Sequence, residues 1–304
     1  MTSAIPSSLN PLVTPQSWRW RGFSIRYQAQ GEAGAAVVLI HGFGASWGHW
    51  RKNIPALSED FRVYAIDLIG FGGSDKPSPT EMAYTFETWG AQIADFCREV
   101  VGTPAVLVGN SIGAIVAMQA AVAVPESVRG VALLNCSLRL LHDRRRGALP
   151  WYRSLGTPIL QNLLAQHWLG HGFFRLLANP KTVRKILLQA YGRDEAVTDE
   201  LVALLMAPAA DGGAADVFLA FTRYSQGPLP EDLLAVLPCP ALMLWGTADP
   251  WEPIAQGKEL GKFPCVQQFI PLEGIGHCPQ DEAPELVNPI LQDWIAKLGA
   301  ETAI

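Results

Sequence analysis

The strongest chemical signal in this sequence is a serine set between two glycines, Gly109-Asn110-Ser111-Ile112-Gly113. It follows a short apolar run and opens an apolar helical stretch. The glycines let a strand and a helix approach closely around a sharply turned serine. A serine hydroxyl is a poor nucleophile at neutral pH. It needs a base within hydrogen-bond reach and an acid that orients the base. Asp249, in Trp245-Gly246-Thr247-Ala248-Asp249-Pro250, and His277, in Gly274-Ile275-Gly276-His277-Cys278-Pro279, follow in the order such a triad requires, each in a loop past an apolar run. The expectation is Ser111 as nucleophile, His277 as base and Asp249 as supporting acid. Glu252 is a substitute acid ranked below Asp249, and Asp281 and Glu282 read as first-turn charges that complement a helix dipole.

An acyl-transfer site also needs two backbone N–H groups aimed where negative charge develops. One is expected from Ile112, directly after the nucleophile. The other is expected from Phe43 in His41-Gly42-Phe43-Gly44, where glycines let the chain turn an amide inward. His41 reads as a brace for that loop. The loop Asp67–Ser74 is glycine-rich but lacks the spacing of a phosphate-binding loop, so it reads as a structural turn beside the site. No HExxH string and no His/Asp cluster at ligand spacing is present, so neither metal nor cofactor is expected.

The elements that must position these residues are short apolar runs: Ala36–Ile40, Val63–Ile66, Ala105–Val108, Val131–Leu134, Ala241–Leu244 and Val266–Ile270. Runs this short and this apolar suit strands buried on both faces of a parallel sheet. Helical stretches alternate with them at about Trp50–Leu57, Phe86–Val100, Ile112–Val122, Pro253–Lys262 and Glu285–Leu298. Trp18, Trp20, Phe23, Ile25 and Tyr27 alternate around Gly22 as a hairpin. The fold class that follows is α/β, a doubly wound, mostly parallel sheet with right-handed crossovers. Between about 137 and 235 the alternation stops, and only helical pieces appear: Leu155–Leu169, Phe173–Leu177, Val183–Tyr191 and Asp199–Leu205. An insertion there lies over the carboxyl ends of the strands, where such sheets bind ligands. The expected organisation is an irregular arm over 1–16, a core over 17–136 and 236–304, and a helical cap over 137–235.

Composition narrows the function classes. The 304-residue chain has a net charge of −5, which opposes nucleic-acid binding. It is 49% hydrophobic and only 17% charged, against about 25% charged in an average soluble domain, leaving apolar surface for a pocket or a partner. Arg144-Arg145-Arg146 reads as a solvated turn, with contact to anionic lipid or a substrate carboxylate as the lesser reading. Five scattered cysteines without CxxC spacing suit free thiols in a reducing compartment. Neither a secretory leader pattern nor an uncharged run of about 20 residues is visible, so the expectation is a cytoplasmic protein.

Taken together, the motifs from about residue 18 to 298 resemble those of the α/β-hydrolase superfamily. Its haloalkane dehalogenase and epoxide hydrolase branches use an aspartate nucleophile where this chain has Ser111. Asn110 is shared with hydrolases that cleave the carbon–carbon bond of meta-cleavage products, which place a tryptophan where this chain has Cys278. The stretch His277–Glu282 with Pro284, Glu285, Val287 and Asn288, together with Gly109-Asn110-Ser111, is most similar to the pheophytinase-like branch. That resemblance implies hydrolysis of a phytyl-type ester through an acyl-enzyme. The alternatives are carbon–carbon hydrolysis, cofactor-free perhydrolysis and, as a non-enzyme, a receptor or accessory subunit. The cap residues Trp151, Leu155, Ile159, Leu160, Leu163, Leu164, Trp168, Leu169, Phe173, Phe174, Leu176 and Leu177 pack a cap simply by being apolar, and they also suit a large apolar ester and peripheral contact with a membrane.

Overall fold

The structure is a computed structural model and describes residues 15–148 and 167–301. Its centre is an eight-stranded sheet in the order β1-β2-β4-β3-β5-β6-β7-β8. The strands are β1 (Gln16–Trp20), β2 (Phe23–Gln30), β3 (Ala36–Ile40), β4 (Arg62–Ile66), β5 (Ala105–Asn110), β6 (Val128–Leu134), β7 (Ala241–Gly246) and β8 (Val266–Leu272). β1 and β2 pair antiparallel, as do β2 and β4, and the remaining pairings are all parallel. The fold class read from the sequence holds, with an antiparallel edge made by the first hairpin. Its two-residue turn, Arg21 and Gly22, has positive φ at both positions, matching the twist of the flanking strands. Gln16, placed in the arm by composition, is instead the first residue of β1 and pairs with Tyr27.

Burial on two faces explains the apolar runs except Val266–Ile270, expected as a fully buried strand: it lies in β8 at the sheet edge, where Gln267, Gln268 and Pro271 are exposed because no further strand covers that side. In β3, Ala36, Val38 and Ile40 face one core with Trp89, Ile93 and Phe96 of α2 (Phe86–Phe96) and Ile115 and Met118 of α3 (Ile112–Ala123). Val37 and Leu39 face the other, with Trp50, Val287, Leu291 and Trp294. Truncating a leucine to alanine in such a core costs about 2–5 kcal/mol, which is why the strand ends are fixed points in space. The stretch expected as one helix over Trp50–Leu57 is a 3-10 turn, Trp47–Trp50, and then a short α1 (Ile54–Leu57). Pro55, which has no N–H to give, sits in the first turn of α1. Beyond the sheet's β7 come α9 (Ile254–Leu260), α10 (Pro279–Glu282) and α11 (Pro284–Glu301).

Between β6 and β7 the described residues form helices α4 (His167–Leu177), α5 (Pro180–Ala190), α6 (Asp199–Met206), α7 (Ala214–Arg223) and α8 (Pro230–Leu234). Asn179 and Thr198 cap α5 and α6 by accepting from Thr182 N and Leu201 N. α7 escaped the sequence reading because Asp211-Gly212-Gly213 looks like a loop. In the fold Gly213 has φ of +89° and serves as the helix N-cap. The expected helix Leu155–Leu169 lies mostly outside the described residues.

Candidate functional site

Ser111 stands between β5 and α3 with φ of 56° and ψ of −118°, a conformation an L-residue adopts only under restraint, at about 1–3 kcal/mol. The restraint is visible. Ser111 N donates to Leu134 O at 3.0 Å, and its carbonyl accepts from Ala114 N and Ser137 N at 3.1 and 3.2 Å. Asn110 Nδ2 donates to Leu134 O at 3.2 Å and to His277 O at 3.0 Å, tying the turn to the histidine loop. Gly113 lies against the Ile40 and His41 carbonyls, leaving no room for a Cβ. The strain thus rests on β3, β6 and the His277 loop together.

The structure brings His277 and Asp249 together as expected, with His277 Nδ1 2.7 Å from Asp249 Oδ2. Asp249 Oδ1 accepts from Trp251 N at 2.8 Å and Glu252 N at 3.1 Å, and Asn135 Nδ2 donates to Oδ2 at 2.7 Å. Burial pushes the Asp249 carboxyl up, but the hydrogen bond and charge of His277, with the Asn135 and Trp251 donors, outweigh it and hold the carboxyl below its ordinary value. Asn135 is a residue the sequence reading missed. It follows β6 directly with φ of 42°, and its Oδ1 accepts from Gly246 N at 3.0 Å, so one amide fixes both the acid and the end of β7. The signal available was its place at the carboxyl end of a strand next to the nucleophile strand. Trp251 was missed too; its indole packs edge-on against the His277 ring at 4.9 Å between centroids.

Glu252 does not take the acid's place. Its Oε2 accepts from Leu138 N at 2.9 Å, on the segment leading into the insertion. Burial pushes its carboxyl up to about 7, against the pull of the Leu138 N–H and the nearby His277.

Ile112 directly follows Ser111 and Phe43 lines the same cavity, and among the described residues neither N–H is given to another protein group. Phe43 is held by aromatic contacts, stacking on Phe221 of α7 at 4.9 Å and meeting Phe71 and Phe218 at 5.7 and 5.6 Å. His41 braces the loop: its Nε2 accepts from Leu68 N at 3.1 Å, so Nδ1 carries the proton and donates to Gly42 O at 2.7 Å. Asp67 accepts from Trp47 N and Gly73 N at 2.6 and 2.7 Å, the structural turn read from the sequence.

Asp281 and Glu282 stand in the first turn of α10, as read from the sequence, but they do more than complement its dipole. They are buried, and they bind groups outside their own helix. Tyr191 OH donates to Asp281 Oδ2 at 2.9 Å, His49 Nε2 meets the same hydroxyl at 3.0 Å, and Arg51 Nη1 reaches Asp281 Oδ1 at 2.6 Å. Glu282 accepts from Gly192 N and Gly276 N, both at 2.9 Å. His277 N donates to Ala190 O at 2.8 Å. Residues 190–192 of the insertion are therefore sewn to the loop that carries His277. Sequence distance hid this seam, since its partners lie about 90 and 140 positions apart.

Ser111 and His277 line one cavity of about 420 Å³. Phe43, Asn110, Glu252 and Cys278 border it from the core, and Phe174, Leu177, Val183, Leu187 and Phe218 border it from the insertion. Burial holds the Cys278 thiol well above its ordinary value, so it stays neutral. The cavity is apolar with a few convergent polar groups, the usual make-up of a small-molecule site. Of the apolar residues expected over a substrate, Phe174 and Leu177 line it and Phe173 packs on Phe218. Trp168 and Leu176 point outward, because their helical positions oppose the face that carries Phe174 and Leu177. Trp151, Leu155, Ile159, Leu160, Leu163 and Leu164 lie outside the described residues. Of the basic run, Arg144 pairs with Asp232 and Arg145 with Glu231.

The sequence profile of the Alpha/beta hydrolase family matches residues 37–290. The chain is 27% identical over 300 residues to the chloroplastic pheophytinase of Arabidopsis thaliana, a match covering 86% of this chain and 61% of that protein. It is 28% identical over 276 residues to the uncharacterized hydrolase YugF of Bacillus subtilis (strain 168), covering 90% and 95%. Among solved structures, the epoxide hydrolase CorEH superposes with a TM-score of 0.76 at 22% identity, over 94% of this chain and 99% of that one. At that identity the likeness speaks for the fold alone.

Proposed function

From the premise that this chain belongs to the alpha/beta hydrolase family, we propose that it is a serine hydrolase cleaving a carboxylic ester of a large apolar alcohol. The observation that carries this reading is the 2.7 Å contact of His277 Nδ1 with a fully tethered Asp249, beside a strained Ser111 in an apolar cavity. In the proposed reaction Ser111 Oγ attacks the ester carbonyl carbon as His277 Nε2 takes the hydroxyl proton. Asp249 holds the imidazole and stabilises its cation. The Phe43 and Ile112 amides receive the oxyanion. The tetrahedral adduct collapses, the alkoxide leaves with the proton from His277, and an acyl-enzyme remains. Water then gives a proton to His277 and attacks the acyl carbon, releasing the acid and free Ser111.

The helices over 137–235 act in this reading as the cap that selects substrate. The apolar lining from α4, α5 and α7 and the similarity to pheophytinase both support a long hydrocarbon alcohol such as phytol. Carbon–carbon hydrolysis on the same triad is the second reading, and Asn110 before the nucleophile is the residue that favours it.

The test is a series of esters from short acyl to phytyl, read by product mass, with a dienone as the carbon–carbon arm. Wild type is expected to prefer the long apolar esters. Ser111→Ala is expected to lose turnover by about 10⁶-fold and to lose labelling by a fluorophosphonate. Strict preference for short water-soluble esters overturns the substrate class, and undiminished turnover by the alanine variant overturns the mechanism.

A further inference from the structure

Charge is distributed very unevenly along this chain. Residues 144–193 hold nine Lys and Arg and no Asp or Glu, although the whole chain has 23 basic and 28 acidic residues. The rest of the chain therefore carries 14 basic side chains against all 28 acids. Four of the nine are paired with acids elsewhere: Arg144 with Asp232, Arg145 with Glu231, Arg184 with Asp199 and Arg193 with Glu285. Arg175 on α4 and Lys181 and Lys185 on α5 are exposed, and among the described residues no acid pairs with them.

These cations share their helix faces with apolar side chains. Trp168 and Leu176 on α4 are the most exposed large apolar residues described, at 72% and 71%. Trp168, Arg175 and Leu176 fall on one stripe of α4, and Lys181, Lys185 and Leu188 on one stripe of α5, as spacings of three, four, seven and eight require. The opposite stripes, with Phe174 and Leu177 on α4 and Val183 and Leu187 on α5, line the cavity that holds Ser111. The same two helices thus wall the cavity inside and present tryptophan, leucine and unpaired cations outside.

We propose that the outer faces of α4 and α5 dock on an anionic lipid surface. Tryptophan and leucine enter the boundary between headgroups and acyl chains, while Arg175, Lys181 and Lys185 meet the anionic headgroups. The contact is superficial, since among the described residues no single helix is long and apolar enough to cross a membrane. A duplex nucleic acid fits this face poorly, because its described residues set an exposed tryptophan and two leucines among three free cations, which offers a phosphate backbone little. Docking of this kind sets the cavity above a phase in which long-chain esters dissolve. That last consequence rests on the ester reading, whereas the docking itself does not.

The experiment is co-sedimentation of the full chain with vesicles of phosphatidylcholine alone, and of equal parts phosphatidylcholine and phosphatidylglycerol, with duplex DNA as a polyanion control. The chain is expected to bind the anionic vesicles at low salt, to leave them as salt rises, and to ignore the neutral ones. The triple variant Arg175→Glu, Lys181→Glu, Lys185→Glu is expected to lose roughly 100-fold in vesicle affinity. Trp168→Ser is expected to lose roughly tenfold. Both should keep the wild-type unfolding midpoint, because none of these side chains is buried. Equal binding to both vesicle types, binding to neither, wild-type affinity in the triple variant, or binding to DNA in place of vesicles overturns the proposal. The readout involves no catalysis, so failure of docking and failure of the ester reading are separate results.

Discussion

The loops at the strand ends and the helices above them are held by different forces. Around Ser111, Asp249 and His277, backbone groups do most of the holding. Leu134 O, Ala190 O, Trp251 N and Glu252 N each fix a candidate site residue, and β5 and β7 behind Ser111 and Asp249 are sealed on both faces. The insertion is attached mainly through side chains: the ion pairs of Lys76 with Asp211 and Arg193 with Glu285, the Tyr224 hydroxyl donating to Glu87 Oε2, and the aromatic stack of Phe43 on Phe221. Backbone tethers survive most substitutions, whereas side-chain tethers change with every substitution. The difference explains how such a fold keeps its chemistry while its cavity wall varies. The seam at residues 190–192 is the exception, since there the insertion itself holds the histidine loop.

The sharpest way to break this comparison is at Asp249. Asp249→Asn is expected to lower ester turnover by about 10⁴-fold, through loss of the imidazole's partner, with an unfolding midpoint close to wild type. A loss below tenfold in steady-state kinetics would show that the tethered acid is not what orients His277.

Glu252 tests the junction between the two regions through pH. Its carboxyl lies at about 7 in the fold and at 4.5 ordinarily, so the folded state keeps a proton that the unfolded chain releases across that window. Stability from this residue is present below about pH 4.5 and is lost as pH rises through 7. Glu252→Gln is therefore expected to exceed wild type by up to about 3 kcal/mol in urea unfolding at pH 8, and to converge with it at pH 5. His41 and His49, pushed down to about 4 by burial, work in the opposite sense: their contribution is present above pH 6.5 and lost as pH falls toward 4.

Tyr191→Phe tests the seam. Removing the hydroxyl leaves Asp281 one donor short, and the expected loss is about 1–3 kcal/mol in urea unfolding, with ester turnover within tenfold of wild type. Unchanged stability would mean that the seam is ornamental. The smallest effect belongs to the surface pair of Arg193 and Glu285, where Arg193→Ala is expected to shift stability by less than about 0.5 kcal/mol. A larger shift would raise the standing of the side-chain tethers.

How much of this was legible beforehand follows the same division. Ser111 and Asp249 could be read because each follows a strand buried on both faces, which writes itself as an unbroken apolar run, whereas His277 follows the half-exposed edge strand β8 and was read from its place late in the chain. Phe43 and Ile112 followed from their offsets to those strands. Asn135 was equally well placed but has no nucleophile, base or metal-ligand chemistry to draw the eye. Asp281 and Glu282 were placed in a first helix turn as the structure has them, but their partners Tyr191 and Gly192 were not foreseen, since these lie far along the chain. α7 was hidden by the two glycines that begin it.

The sequence by itself determined the sheet, the order of the candidate triad and the turn that strains Ser111, because these depend on local pattern and on which residues must avoid water. Tertiary structure alone decided that Asn135 clamps Asp249, that Tyr191 joins the insertion to the histidine loop, and that Trp168 faces outward while Phe174 faces the cavity. Those outcomes depend on which distant groups meet in a dry interior, where an unpaired donor or acceptor costs more than any local preference can return.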